Sequence, residues 1–275
     1  MTVRRAFVDV PHGQVHYRHA GTDGRAILLL HAGPGSSKQL ESMVADLAPN
    51  FRVVAPDMPG NGDSSPLPIE APAITDYAAA LLPVLDALGL DEVNVYGSHT
   101  GASIAAELAI LAPDRVRRIV TDGLGVFSAE QRDEMLARYA LPFTPDLDGA
   151  YLMRAFHFLR AQYLFFPWYE RTPKGLRDGA SLRPPGELHA WLLEVLKAPE
   201  TYPRAYRAAF SWPVSERLPL VPCPVLMTAA LNDPLHDGTR DATALLPDGR
   251  FQSLPRFDDP GFAPARASLV SDMFA

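Results

Sequence analysis

The stretch VNVYGSHTGASIA, Val93–Ala105, decides the fold of this chain. An apolar strand pattern leads into GSHTG, with His99 at its centre, and small residues at helical spacing follow. A strand that turns sharply into a helix needs tiny residues beside the turn, and Gly97 and Gly101 satisfy this need. The pattern therefore predicts a tight strand-to-helix turn that presents the His99 side chain.

Similar short runs, rich in Val, Ile and Leu and closed by Gly, Pro, Asp or Asn, recur along the chain and predict buried strands. They are AILLLHAG, FRVVAPDMPG, VRRIVTDG, PVLMTAAL and RFQSLPRF. Helical patterns alternate with them: ITDYAAALLPVLDALGL begins near a predicted Thr75 cap, and GASIAAELAILAPDR stops at Pro113. This alternation predicts an α/β fold with a mostly parallel sheet and helices on both faces.

The alternation of strands and helices breaks after Asp122 and resumes only near Val221. The segment between them is helical in period and heavily aromatic, with a polar Pro/Gly stretch in its middle. We interpret it as a helical cap inserted into the sheet domain.

Composition limits the partners of the chain. With 275 residues and 47% hydrophobic content it can bury a large core, and its net charge of −7 disfavours nucleic acid and anionic membranes. A small-molecule substrate is favoured, and we expect no nucleic-acid or membrane partner. No run approaches the length of a membrane span, and the single cysteine, Cys223, allows no internal disulfide, so a cytoplasmic location is expected. The scattered histidines predict neither a metal nor a cofactor, and the oligomeric state stays open.

Three motifs in order resemble those of the α/β-hydrolase superfamily. LLLHAGPG, with His31 to Gly35, is similar to the HGGPG-type loop, and PDMPGNGDS, with Asp57 to Ser64, is similar to the DxPGxGxS segment. GSHTG occupies the nucleophile elbow. The resemblance implies an eight-stranded core of residues 1–123 and 213–275, with a helical cap, or lid, of residues 124–212.

The resemblance also implies a site. The oxyanion hole would consist of the backbone N–H groups of Gly33 and Thr100. The family's acid corresponds to Asp233, in the turn that follows PVLMTAAL. The position of the family's final histidine is taken by Asp259 or, with a slip of one residue, by Asp258; the alternative is that both are solvated loop acids. His99 therefore stands in the nucleophile's place, and a carboxylate stands where the base is expected.

Other polar residues have competing interpretations. Ser98 is an alternative nucleophile, but it is displaced by one position from the centre of the elbow, so we expect it to face the sheet packing. His236 is either a relocated base or, as we favour, a loop histidine, and His31, Asp57 and Ser64 are assigned to the scaffold. Residues of the cap that either line its inner face and bind substrate or only pack are His157, Arg160, Trp168 and His189.

Neutral imidazole carries a lone pair and titrates near neutrality, so His99 needs no activating partner to act as a base. We expect His99, oriented by Asp233 or Asp259, to activate water against an ester or lactone carbonyl. Direct nucleophilic attack by His99, which would form an acyl-imidazole, is a less simple mechanism because no other residue of the site clearly manages its second step. Two other functions remain open: a cofactor-free lyase, isomerase or oxygenase in which His99 abstracts a proton, and a non-catalytic ligand-binding protein with a degenerate triad.

Overall fold

A single eight-stranded sheet organises the molecule, for which a computed structural model describes residues 1–275. The strand order is β1-β2-β4-β3-β5-β6-β7-β8, in which β1 pairs antiparallel with β2, β2 pairs antiparallel with β4, and the other pairs are parallel. The strands are β1 Arg4–Val10, β2 Gly13–Ala20, β3 Ala26–Leu30, β4 Arg52–Pro56, β5 Val93–Ser98, β6 Val116–Asp122, β7 Val225–Ala230 and β8 Gly249–Leu254.

Helices cover both faces of this sheet. One apolar cluster packs residues of α2 and α3 on one face, and a second packs α1 and α10 on the other. The helices are α1 Glu41–Leu47, α2 Ile74–Ala87, α3 Thr100–Leu111, α4 Ala129–Arg138, α5 Ala150–Leu164, α6 Pro185–Leu196, α7 Tyr202–Ser211, α8 Val214–Arg217, α9 His236–Ala242 and α10 Phe262–Phe274. None of them combines the length and the hydropathy that a membrane crossing requires.

The predicted fold class is confirmed, since each apolar run singled out in the sequence forms a strand, β3 to β8. The β1–β2 hairpin was implied only by the resemblance, because β1 is half exposed and lacks an apolar run. The predicted cap of α2 at Thr75 is wrong. The helix begins at Ile74, and the Asp76 carboxylate accepts the Ala73 amide at 2.8 Å.

Four helices, α4 to α7, lie between β6 and β7, within residues 124–212, and contribute no strand to the sheet. We call this segment the cap. It has an apolar cluster of its own, in which aromatic rings of different helices pack edge to face or stack. Tyr139 at the end of α4 contacts Phe158 of α5 and Tyr206 and Phe210 of α7. The cap can therefore hold its shape while it sits over the sheet.

A buried carboxylate fastens the end of the cap to the core. Glu107 of α3 is only 1% exposed, and it accepts hydrogen bonds from the Trp212 indole at 3.0 Å and from Arg217 Nε at 3.1 Å. Because Trp212 directly follows α7 and Arg217 ends α8, these bonds fix the point at which the chain returns from the cap to the sheet.

We expect Glu107→Ala to lower the free energy of unfolding by about 2–4 kcal/mol, because it leaves a buried indole N–H and a guanidinium without their acceptor. Chemical denaturation measures the change. The matched control is Glu134→Ala, which breaks the exposed Arg138 pair on α4 and should change stability by less than about 0.5 kcal/mol. Equal effects of the two substitutions would contradict the anchoring role.

Candidate active site

The turn between β5 and α3 holds His99 in a strained backbone conformation. His99 has φ 50° and ψ −110°, and it is the only non-glycine residue of the chain with positive φ. Its amide donates to the Asp122 carbonyl at 2.9 Å, and its carbonyl accepts the Ala102 amide at 2.9 Å. Strain of this kind costs about 1–3 kcal/mol and persists only where the surroundings enforce it.

The two glycines beside His99 are needed for close packing. A Cβ atom on Gly97 would collide with the backbone carbonyl of Gly101, and one on Gly101 would collide with the backbone carbonyl of Leu30 at the end of β3. The helix therefore approaches the sheet edge closely, as the sequence pattern predicts. This close approach fixes the position of the His99 ring relative to the sheet edge.

His99 and Asp233 form the central contact of the site. The ring nitrogen Nε2 of His99 lies 3.0 Å from Oδ2 of Asp233, whose side chain is fully buried, while the His99 side chain is 35% exposed. The second oxygen of Asp233 accepts the Leu235 amide at 2.8 Å. The carboxylate is thus fixed at both oxygens, so it can hold the imidazole in one orientation.

The two partners shift each other's protonation. Burial alone would lower the pKa of His99, but the charge and hydrogen bond of Asp233, together with the charge of Asp122, raise it above its ordinary value of 6.5. Burial alone would raise the pKa of Asp233, but His99, the Leu235 amide and Arg177 lower it overall. Asp233 therefore stays ionised, and His99 takes up a proton more readily than an isolated histidine.

Gly123 keeps the space beside this pair open. It follows β6 with φ +72°, and a Cβ atom there would lie 2.9 Å from Nε2 of His99 and 3.1 Å from Oδ2 of Asp233. Its amide donates to the Thr228 carbonyl of β7 at 2.8 Å. A side chain at this position would push the imidazole and the carboxylate apart.

The loop after β3 brings Gly33 next to Thr100. A Cβ atom on Gly33 would lie 3.2 Å from Oγ1 of Thr100, and both residues line the same cavity as His99. Thr100 is the first residue of α3, where backbone N–H groups have no partner within the helix. This arrangement places the predicted oxyanion-hole residues side by side at the elbow; their role stays a prediction.

His31 and Asp57 stabilise that loop and its neighbours through hydrogen bonds to backbone groups. The His31 ring accepts the Met58 amide at Nε2, at 2.9 Å, and its Nδ1 donates to the Ala32 carbonyl at 2.8 Å. Burial lowers the pKa of His31, which keeps the ring neutral in this tautomer. The Asp57 carboxylate accepts the amides of Ser37 and Asp63. Both residues therefore act as scaffold.

A cavity of about 1330 Å³ lies between the sheet edge and the cap. The core contributes Gly33, His99, Thr100 and Asp233 to its wall. The cap contributes aromatic and polar side chains, among them Tyr139, Gln162, Tyr163, Phe166, Trp191, Tyr206 and Phe210. Such a cavity suits a small organic molecule, because its wall is mostly apolar and carries a few polar groups that can orient a ligand.

Two arginines of the loop between α5 and α6 reach this cavity. Arg177 donates from Nη1 to the Gln162 carbonyl at 2.8 Å, and Arg183 donates from Nη2 to the Phe257 carbonyl at 2.9 Å. Burial lowers the pKa of Arg177, partly offset by the Asp233 charge, and a guanidinium remains charged under such a shift. Asp178, Glu187 and Glu194 of the cap line the same cavity, so the two guanidiniums are local positive groups in a wall of mixed charge.

The acids at the end of β8 do not join His99. Asp259 is exposed, and its Oδ1 accepts the Gly261 amide at 2.7 Å, where it shapes the turn into α10. Asp258 is exposed and pairs with Arg256 Nε at 3.1 Å. Both line the cavity, but neither forms a hydrogen bond or ion pair with His99. Among the predicted acids the structure brings only Asp233 to the imidazole, and the expectation that Asp259 orients His99 is corrected here.

Ser98 and His236 lie outside the cavity that His99 lines. Ser98 pairs in register with Asp122 and shares the sheet face of Tyr96, and it does not line the cavity. His236 contacts Ser253 Oγ at 2.9 Å and Asp237 at 3.0 Å outside the cavity. These positions match the preferred interpretations of both residues.

The predicted substrate contacts of the cap are wrong. His157 and Arg160 are exposed on α5, and neither residue lines the cavity. Trp168 donates to the Tyr139 carbonyl at 2.9 Å and packs on Phe158, so it belongs to the cap's interior. The physical reason is helix phase: Gln162 and Tyr163 of α5 reach the cavity, and the residues chosen from sequence point elsewhere.

Comparisons with known proteins agree with this geometry. The family model described as alpha/beta hydrolase fold matches residues 25–258. A 2-hydroxy-6-oxo-6-phenylhexa-2,4-dienoate hydrolase of Burkholderia cepacia is 24% identical over 262 residues, which cover 88% of this chain and 84% of the relative. A 2-hydroxy-6-oxononadienedioate/2-hydroxy-6-oxononatrienedioate hydrolase of Pseudomonas putida is 35% identical over 123 residues, so the chain spans only 42% of that relative's length.

Solved structures show the same fold. The enol-lactonase from Burkholderia xenovorans LB400 has a TM-score of 0.74 at 18% identity, covering 98% of this chain and 99% of that chain. Epoxide Hydrolase A from Mycobacterium thermoresistibile has a TM-score of 0.74 at 21% identity, with 98% and 97% covered. With a family model that spans most of its length and an elbow at the edge of an eight-stranded sheet, this chain belongs to the alpha/beta hydrolase fold family, and the two relatives described above are hydrolases.

Proposed function

We propose that the protein hydrolyses the ester or lactone carbonyl of a small molecule that carries a carboxylate, with His99 as the general base on water. The 3.0 Å contact between His99 Nε2 and Asp233 Oδ2 at the elbow carries this proposal. It is the arrangement of a base and its orienting acid, and it lies in a cavity beside the Gly33 and Thr100 backbone.

Asp233 selects the tautomer of the base. An ionised carboxylate only accepts hydrogen bonds, so neutral His99 carries its proton on Nε2 and keeps a lone pair on Nδ1. Nδ1 has no protein partner, and the ring borders the cavity. The nitrogen that is free to take a proton from water is therefore Nδ1.

The reaction balances with this one base. His99 Nδ1 takes a proton from water while the water oxygen attacks the carbonyl carbon, and the carbonyl oxygen becomes an oxyanion beside the Gly33 and Thr100 amides. The tetrahedral intermediate then expels the alkoxide, and Nδ1 returns its proton to that leaving oxygen. The products are an acid and an alcohol, or one hydroxy acid from a lactone.

The Arg177 guanidinium at the cavity favours a substrate with an anionic group. Arg177 lies close enough to Asp233 and His99 to influence the pKa of both groups. A guanidinium recognises a carboxylate by charge and by paired donors. The named relatives act on dienoates and dienedioates, which are carboxylates, and this supports the same preference here.

His99→Ala should abolish hydrolysis of 4-acetoxybenzoate, while Ser98→Ala should leave it within about twofold, because only His99 borders the cavity. The wild type should also resist labelling by a fluorophosphonate, since such probes require a serine activated by an imidazole. Steady-state rates and intact mass spectrometry provide the readouts.

Stoichiometric labelling at Ser98, or full activity in His99→Ala, would contradict the assignment. Deuterium incorporation next to the carbonyl in D₂O, without cleavage, would instead identify His99 as the base of a proton-abstracting enzyme. Folding of each variant is checked by its thermal transition.

The activity should decline as the pH falls through the raised pKa of His99, because only the neutral ring accepts a proton. Asp233→Asn removes the main charge that raises this pKa, so the midpoint of the decline should move to lower pH. The loss of the fixed tautomer should also reduce kcat about 100-fold or more. A pH–rate profile of both proteins tests this, and an unchanged midpoint would refute it.

Arg177→Met should raise KM for 4-acetoxybenzoate by about 10- to 100-fold, which corresponds to one lost charge-assisted contact. The same substitution should leave the KM of methyl 4-acetoxybenzoate nearly unchanged, because this ester has no carboxylate. Both are measured at a pH where His99 is neutral. Arg160→Met is the matched control, since Arg160 is exposed and outside the cavity; an equal effect there would argue against Arg177.

A further inference from the structure

A hydrogen-bond donor of the cap is held at the cavity without a partner. Gln162 of α5 lines the cavity, and its amide nitrogen Nε2 is buried and has no protein acceptor. Buried amide donors are nearly always paired, because leaving one unpaired costs free energy. The reaction described above assigns no role to this group.

The orientation of the amide is fixed by two tyrosines. The Tyr206 hydroxyl donates to Oε1 of Gln162 at 3.2 Å, and the Tyr139 hydroxyl does so at 3.4 Å. Burial raises the pKa of both phenols well above the usual range, so both hydroxyls keep the protons that they donate. With Oε1 occupied on both sides, the amide presents only its N–H₂ group to any further partner.

The same tyrosine connects this amide to the oxyanion loop. A carbon of the Tyr206 ring lies 3.5 Å from the place of a Cβ atom on Gly33, and its hydroxyl contacts Gln162. The separation between Gln162 and the predicted oxyanion hole is therefore about the length of a tyrosine side-chain ring plus one hydrogen bond. An oxygen several bonds along the acyl chain from the reacting carbonyl can span this distance.

We propose that Gln162, oriented by Tyr139 and Tyr206, is a specificity-determining residue that donates a hydrogen bond to an oxygen acceptor on the acyl part of the substrate. The inference rests on the proposed function for the placement of the reacting carbonyl. A carbonyl oxygen is the acceptor class that fits a neutral amide donor, and it is distinct from the carboxylate assigned to Arg177. An acyl chain without such an oxygen would leave the donor unpaired.

Binding tests the inference without catalysis. The His99→Ala protein is titrated by calorimetry with 5-oxohexanoate and with hexanoate, which differ only at C5, a ketone in the first and a methylene in the second. We expect 5-oxohexanoate to bind about 3- to 10-fold more tightly, the worth of one neutral hydrogen bond. Adding Gln162→Leu should make the two affinities equal. Tyr151→Phe, on the same helix but outside the cavity, is the control and should keep the preference.

Rates provide the second arm. The ratio of kcat/KM for the p-nitrophenyl esters of the same two acids should show the same preference, and Gln162→Glu, which keeps the shape but presents no amide donor, should abolish it. If neither ester is cleaved but the binding preference exists and depends on Gln162, the proposed hydrolysis fails and this inference stands. If the esters are cleaved and both acids bind alike, the inference is overturned and the hydrolysis stands.

Discussion

The site depends on the backbone turn at His99, where positive φ is imposed on a residue with a large side chain. The turn lets α3 start at the end of β5, so that Thr100 lies next to the loop that carries Gly33. Gly97 and Gly101 make this possible, because any Cβ atom there would meet backbone from the next strand or helix. A folded core must supply the free energy that maintains such strain.

The contact between His99 and Asp233 places an imidazole paired with a carboxylate at this turn. In the family pattern the imidazole comes from the end of the last strand, whereas here it stands on the elbow itself. The acid stays after β7, in the same place as in that pattern, and still reaches the ring. One hydrogen bond thus keeps an imidazole paired with this acid although the imidazole comes from a different part of the chain, and the loop after β8 carries exposed carboxylates.

The cap adds what the sheet edge lacks. The sheet edge contributes Gly33, Thr100, an imidazole and a carboxylate to the cavity wall, and the cap contributes aromatic side chains, the charge of Arg177 and the amide of Gln162. The cap's own aromatic cluster and the anchor at Glu107 keep these groups in place over the site. In the proposed function, substrate recognition and chemistry therefore come from different parts of the chain that meet in one cavity.

The sequence by itself determined the α/β class, the six main strands, the inserted helical segment and the central place of His99, because these follow from local periodicity and from glycines that steric constraints require. It also located Asp233, through its place after a strand. Only the tertiary structure decided which acid reaches His99, because Asp233 and Asp259 both follow strand ends in the sequence. In the folded chain the loop of Asp233 brings its carboxylate to His99, whereas the carboxylate of Asp259 accepts the Gly261 amide. The same is true of the cap: the choice between His157 and Gln162 depends on how α5 is rotated against its neighbours, and that rotation is set by packing between helices that are distant in the chain.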